Sequence, residues 1–213
     1  MDGPQGRILL VAGGDLADAP AQELKIDPKK SELLVKTFKE GVAAAFAHNH
    51  VVVATSFSGT LMWDPVRLER CKLKVVVSVN DLLVDDPAYR KKVGGDWASE
   101  VSDGDRKTVR ANMLGDVQLD AKKYPEITLE ADTFKCRGTG QCELDGKLTL
   151  HGVTKPIHFT AKIKGDEKAP TGEGSFKLKT SDYGIKPYSA GLGTIKNQDE
   201  VELVFRLSAS AAP

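Results

Sequence analysis

Residues 147–164, KLTLHGVTKPIHFTAKIK, constrain the fold more than any other stretch of this chain. Leu148 and Leu150 fall on one side of an extended backbone, and Lys147, Thr149 and His151 on the other. Residues 152–156, Gly-Val-Thr-Lys-Pro, interrupt the pattern. Ile157, Phe159, Ala161 and Ile163 then alternate with His158, Thr160, Lys162 and Lys164. Successive side chains of a strand point to opposite faces, so period-two patterning on both sides of a Gly/Pro turn predicts a β-hairpin with one buried and one wetted face. The rest of the chain reads as more of the same, one sheet curled around an apolar interior.

The domain opens with a short alternating strand at 23–27 and a turn through Pro28 and Ser31. Leu33, Val35 and Thr37 alternate with Glu32 and Lys36 on a second strand. Residues 42–46 are Ala-rich and fit a helical turn. His48-Asn49-His50 leads into the longest strand candidate, 51–63, where Val51, Val53, Phe57, Leu61 and Trp63 share the inward face and Ser56, Ser58 and Thr60 the outward one. A slip of one residue would turn every apolar group out, so parity fixes the buried side. Leu73, Val75, Val77 and Val79 repeat the device. Residues 80–115 do not alternate and are rich in charge, with a helix start capped by Ser102 or Asp103. Strands at 127–133 and 143–150 pair across the Gly138-Thr139-Gly140 loop. Phe176, Leu178 and Thr180, then Val201, Leu203, Phe205 and Leu207, complete the inward set. Residues 1–22 read as an N-terminal extension with a short strand at Ile8–Val11, 23–208 as one domain and 209–213 as a tail. Antiparallel strands in this number leave costly open edges, and closing them into a barrel of about eight strands removes those edges.

Length permits one large all-β domain in 213 residues. The 30 basic and 30 acidic residues cancel, so no global field draws the chain to nucleic acid. The basic runs Arg90-Lys91-Lys92 and Arg106–Arg110 are interleaved with acids, lack aromatic stacking partners, and read as solvated helix faces. The apolar run 8–12 is too short for a secretory signal or a membrane span. The expected location is cytoplasmic, or periplasmic or secreted if a leader is missing from this sequence. Cys71, Cys136 and Cys142 fit neither a metal-ligand spacing nor an even disulfide framework. Cys136 and Cys142 flank a tight loop where a hairpin disulfide is geometrically feasible, but in a cytoplasmic protein unpaired thiols are the expected state.

His48 and His50 are the sharpest local chemical feature. Histidines at i and i+2 of an extended segment point the same way, as a metal pair requires. No third ligand lies near in sequence, and the parity of the following strand turns both outward. His151 and His158 fall on the wetted face of the hairpin. Asp85-Asp86 sits in the charged segment, where solvation accounts for it. No nucleophile elbow or phosphate loop is present. No catalytic residue, metal site or cofactor is expected.

The hairpin GKLTLHGVTKPI resembles the signature hairpin of the YceI-like family, whose members are lipocalin-like β-barrels. Ile26-Asp27-Pro28 with Ser31, His48-Asn49-His50 leading to Phe57-Ser58-Gly59, Lys123–Ile127, Asp182–Ile185 and Asp199–Leu203 match the family in order, over roughly 24–208. The resemblance implies an antiparallel lipocalin-like barrel with a helical lid at 84–117. It also tips the interior, which by composition could be solid or hollow, toward a lipid cavity. On that reading the chain is a non-enzymatic binding protein for an amphiphilic lipid such as an isoprenoid, a quinone or a fatty acid. The tail would lie along Val53, Phe57, Leu61, Val75, Val77, Leu129, Leu148, Leu150, Phe159, Phe176 and Phe205, with His48 and His50 at the mouth. The alternatives are a filled barrel serving as a structural or partner-binding module and a His-dependent metal-binding protein; on any of these readings an exposed edge or the lid could support a homodimer.

Overall fold

A computed structural model describes residues 21–137, 140–165 and 168–211. The strand expected at Ile8–Val11, most of the N-terminal extension, and Gly138 and Thr139 of the hairpin loop lie outside the described residues. The strands are β1 (Gln22–Ile26), β2 (Glu32–Lys36), β3 (Lys39–Glu40), β4 (Val51–Ala54), β5 (Phe57–Trp63), β6 (Lys72–Ser78), β7 (Leu82–Val84), β8 (Glu126–Arg137), β9 (Gln141–Leu150), β10 (Val153–Lys164), β11 (Thr171–Lys179), β12 (Ser189–Ala190), β13 (Ile195–Asn197) and β14 (Glu200–Ser210). Two α-helices, α1 (Pro87–Val93) and α2 (Asp103–Leu114), fall between β7 and β8.

Neighbours in the main sheet run β1-β5-β6-β8-β9-β10-β11-β14, and β1 also pairs with β14, which closes an antiparallel barrel of eight strands. β2, β4 and β7 extend it at one rim, beside β14, β2 and β4 respectively. β1–β2, β4–β5 and β6–β7 are therefore three bent staves, each interrupted by a turn. β3, β12 and β13 form a small separate sheet on the connections at that rim.

The central hairpin is tighter than its sequence suggests. Leu150 pairs directly with Val153, so the turn is only His151 and Gly152. Both are left-handed, at φ 52° and 74°, the twist that a two-residue hairpin turn needs. His151 is thus a turn residue, not a strand-face one, and its ring packs edge-on to Tyr124, 4.7 Å between centroids. Pro156 lies inside β10, opposite Lys147. It is tolerated because β10 meets β11 only at residues 162–164, which leaves the Pro156 region an edge on that side. Gly146 answers a bulge in β8 between Ala131 and Thr133. A Cβ on Gly146 would sit 2.0 Å from the Glu130 carbonyl oxygen, so no larger residue fits without moving β8.

Parity inverts in the stave β4–β5. Residues Thr55 and Ser56 break the strand, so Ala54 and Phe57, an odd number apart, both turn inward. Val52 and Ala54 then face the interior, while Val51 and Val53 face out and are buried against Leu34, Val204 and the α1 region, through Tyr89, Val93 and Trp97. The expectation that Val51 and Val53 line the interior is overturned. It rested on an unbroken strand, and the break was invisible because both parities of residues 51–54 are apolar. α1 starts at Asp86, whose side chain accepts from the amides of Ala88 (2.9 Å) and Tyr89 (3.3 Å), with Pro87 in the first turn.

The interior has two storeys. The lower one, around Leu24, Leu61, Trp63, Phe134, Leu144 and Phe159, is a packed core. The upper one, between Val52, Ala54, Val79, Leu82 and Val84 on one side and Leu148, Leu150, Tyr183 and Ile185 on the other, is not filled. Cys136 and Cys142 are joined by a disulfide across the β8–β9 hairpin, which corrects the expectation of unpaired thiols. Cys136 and Cys142 are direct cross-strand partners.

Candidate functional site

A cavity of about 370 Å³ occupies the upper storey and opens at the rim. Val75 and Val77 of β6, Leu129 of β8, Leu148 and Leu150 of β9, Phe159 of β10, Phe176 of β11 and Phe205 of β14 border it. All eight were expected to face the interior. Three of them form its floor: the rings of Phe159 and Phe176 lie 5.2 Å apart, Phe159 and Phe205 5.7 Å, and Phe176 and Phe205 6.5 Å. Beneath that floor lies a second pocket of about 50 Å³, which shares Phe159 and Phe205 with the cavity and is bordered by Leu61 and Trp63. Leu61 therefore points inward but not into the main cavity. Phe57 packs against both storeys without bordering the cavity.

Sequence parity missed Val52, Ala54, Leu82, Val109, Met113 and Leu119, which also border the cavity. Val109 and Met113 come from α2. Ser102 caps that helix, accepting from the Asp105 amide at 3.1 Å and donating to the Asp105 carboxylate at 2.7 Å, with Asp103 and Asp105 in the first turn. Only α2 borders the mouth. α1 lies on the outside of the barrel, so the expected lid over 84–117 is half cover and half outer buttress.

Where β10 and β11 diverge, the turn after β11 fills the gap. Tyr183 and Ile185 pack on Leu148 and Leu150, Lys155 reaches Asp182 at 3.6 Å, and the His151 ring nitrogen Nδ1 lies 3.1 Å from the Tyr183 carbonyl.

His50 and His48 part company at the mouth. His50 has the parity of Val52 and Ala54 and borders the cavity, contrary to the outward orientation expected for it. Its Nδ1 lies 2.6 Å from Asp85 Oδ2. The other carboxylate oxygen of Asp85 accepts from the Val51 amide at 2.9 Å and from Arg90 Nη1 at 2.6 Å. Arg90 also donates to the Asn49 carbonyl (2.7 Å), the Ser99 carbonyl (2.8 Å) and Ser99 Oγ (2.9 Å). Asp85 is 0% and Arg90 3% exposed, so neither is the solvated charge expected from its neighbours in sequence. Burial pushes the Asp85 carboxyl up, but His50, the Val51 amide and Arg90 outweigh it and hold the group below the usual carboxylate range. Asp85 adopts φ 52°, a strained value for a non-glycine residue that the surrounding bonds must enforce. His48 instead turns toward Ser99, 3.3 Å from its Oγ, and does not border the cavity.

His158 sits on the wetted face, 2.6 Å from Asp145. Cys71 is fully buried and burial pushes its thiol up, the opposite of a reactive cysteine. Among the described residues no group of His, Cys, Asp and Glu side chains gathers in a way that could hold a metal ion, and no helix is long and apolar enough to cross a membrane.

Comparison with known proteins places these features. The profile of the YceI-like domain matches residues 24–209. A UPF0312 protein of Pseudomonas putida W619 is 29% identical over 203 residues, covering 92% of each chain. One from Pseudomonas syringae pv. tomato is 29% identical over 206 residues, covering 94% of this chain and 91% of the relative. Among solved structures, Burkholderia cenocepacia BcnA superposes with a TM-score of 0.64 at 18% identity, covering 87% of this chain and 99% of that one. A polyisoprenoid binding domain from Saccharophagus degradans, implicated in plant cell wall breakdown, gives 0.61 at 14% identity, covering 91% and 100%. At these identities the structural likeness is one of fold.

Proposed function

Because this chain belongs to the YceI-like family, we propose that it is a non-enzymatic carrier that holds the tail of one amphiphilic lipid, isoprenoid-like in the first instance, in the upper storey of its barrel. The observation that carries this reading is the open, almost wholly apolar cavity above the phenylalanine floor. Its size falls in the range of pockets that bury a small organic ligand. Each methylene moved from water into such a space is worth about 0.8 kcal/mol. Ten of them contribute about 8 kcal/mol, from which the cost of association, about 4 kcal/mol or more, is subtracted. The polyisoprenoid binding attributed to the S. degradans neighbour supports the same class of ligand. The cavity weighs against the filled-barrel alternative, in which the upper storey would be as packed as the lower. The test is organic extraction of the freshly purified protein and mass spectrometry of the extract. A stoichiometric lipid supports the carrier; an empty extract, with no uptake of an apolar fluorophore, rejects it.

The floor sets the depth available to the tail. Phe205→Ala removes one of the two rings that border both spaces and should join the cavity to the pocket below. The extracted lipid, or the best-retained member of a series of prenyl alcohols, is then expected to lengthen. An unchanged length profile in a folded variant would mean the tail never reaches the floor.

The disulfide bears on location. Cross-strand cystines persist in oxidising compartments and are rare in the cytosol, so we read this protein as working outside the reducing cytoplasm. A peptide map of protein taken from its own host without reductant is expected to show the Cys136 and Cys142 peptides linked. Free thiols at both positions would return the protein to the cytoplasm.

A further inference from the structure

We infer that the mouth of the cavity selects an uncharged head group that can donate a hydrogen bond, a lipid alcohol or primary amide, and that His50 is the residue that reads it. This rests on the carrier reading above and names the head where that reading names only the tail. The polar side chains that border the cavity include Thr37, Asn112, Asn197 and Gln198, with His50 and Asp105, but no lysine or arginine among the described residues. Three cations near this rim are engaged elsewhere. Lys36 reaches Glu202 at 3.2 Å and lies over the Trp97 ring. Lys177 reaches Glu200 at 2.7 Å, and Arg90 is buried against Asp85. A phosphate or carboxylate at the mouth would meet amides, hydroxyls and the Asp105 carboxylate, with no fixed cation to offset its desolvation.

His50 supplies what a neutral donor needs. An ionised carboxylate only accepts, so the 2.6 Å contact with Asp85 places a proton on Nδ1. In the neutral ring that leaves Nε2 as the acceptor, and Nε2 makes no hydrogen bond among the described residues. Asp85, pinned by Arg90 and the Val51 amide, fixes both tautomer and ring orientation; it positions His50 without touching the ligand. Hydroxyl and amide heads can donate to Nε2 while taking bonds from the surrounding amides. An acceptor that the bound lipid covers and the wrong head leaves unpaired discriminates strongly.

The test holds the tail constant. Farnesol, farnesyl monophosphate and farnesoic acid compete at neutral pH against a neutral apolar fluorophore, phenylnaphthylamine, bound to the wild-type protein. Farnesol is expected to displace it at a concentration at least about tenfold lower than either anion, about 1.4 kcal/mol. In His50→Phe the ratio should fall toward one while the fluorophore still binds, and His50→Gln, which restores an acceptor, should recover part of it. If the fluorophore binds wild type but the phosphate or the acid displaces it as well as or better than farnesol, the head-group inference fails and the carrier stands. If the wild-type preference for farnesol persists undiminished in a folded His50→Phe, His50 is not the reader. If neither fluorophore nor farnesol binds, the carrier reading falls and this inference with it.

Discussion

Val75→Trp is expected to abolish lipid retention while leaving a folded barrel. Val75 sits in the middle of β6, 4% exposed, opposite Leu129 on the wall of the cavity. Val75 packs within the lower core but also borders the cavity, so an indole there has open space to extend into. The cost of overpacking should therefore stay at the low end of the usual range of about 1–3 kcal/mol, while the tail loses the space it would occupy. The expected readout is at least a tenfold fall in lipid recovered per protein, with thermal unfolding still cooperative. Val53→Ala is the matched control. Val53 was expected on the cavity wall but packs outside the sheet with Leu34 and the α1 region. Losing two methyl-sized groups there should cost about 1.6 kcal/mol in stability and leave retained lipid unchanged. The reverse pattern, lipid lost in Val53→Ala and kept in Val75→Trp, would move the ligand out of the barrel.

The contrast between Val75 and Val53 shows what was legible in the sequence. Where a strand carries apolar groups on one parity only, as at Leu148 and Leu150 or at Phe159 and Ala161, the inward face follows directly and the structure agrees. Residues 51–54, Val-Val-Val-Ala, are apolar on both parities because one side meets the interior and the other a helix. A pattern without alternation holds no information about which side is which, and the break at Thr55 and Ser56 carries no glycine or proline to announce it. The cavity itself was illegible for a similar reason. Whether inward side chains meet across a barrel depends on its girth and on the tilt of its staves, not on their identity. The phenylalanines on β10, β11 and β14 were each placed inward from sequence. That they converge as a floor is a consequence of strand order and register.

The buried charge network was illegible on different grounds. Asp85 and Arg90 lie in a segment crowded with acids and bases, where most side chains are solvated, and nothing local separates Arg90 from Lys91 and Lys92. The available signal was geometric and out of reach of sequence: Asp85 ends β7 beside β4, so its carboxylate lands at the Val51 amide, and one helical turn after the Asp86 cap returns Arg90 to the same spot. His50, named from sequence for its spacing with His48, belongs to that network instead, and the spacing proved irrelevant.

Asp85→Ala should be among the most damaging single substitutions in this protein. It leaves the Arg90 guanidinium buried without its counter-charge and orphans the Val51 amide, and removal of one partner from a buried ion pair costs about 3–5 kcal/mol. Asp85→Asn keeps shape and an acceptor but not the charge, so its loss should be smaller and its effect on α1 milder. The pH dependence separates electrostatics from packing. The folded-state pKa of Asp85 lies below the ordinary carboxylate value, so the unfolded chain takes up its proton first as acid is added. The contribution of Asp85 is therefore fully present above the unfolded value of about 4 and is lost as pH falls through the depressed folded value. Chemical denaturation of wild type and Asp85→Asn at neutral pH and at about pH 3 should show the gap between them narrowing in acid. A gap of constant size would mean that Asp85 acts through shape alone, and that the Arg90 pairing contributes nothing that titrates.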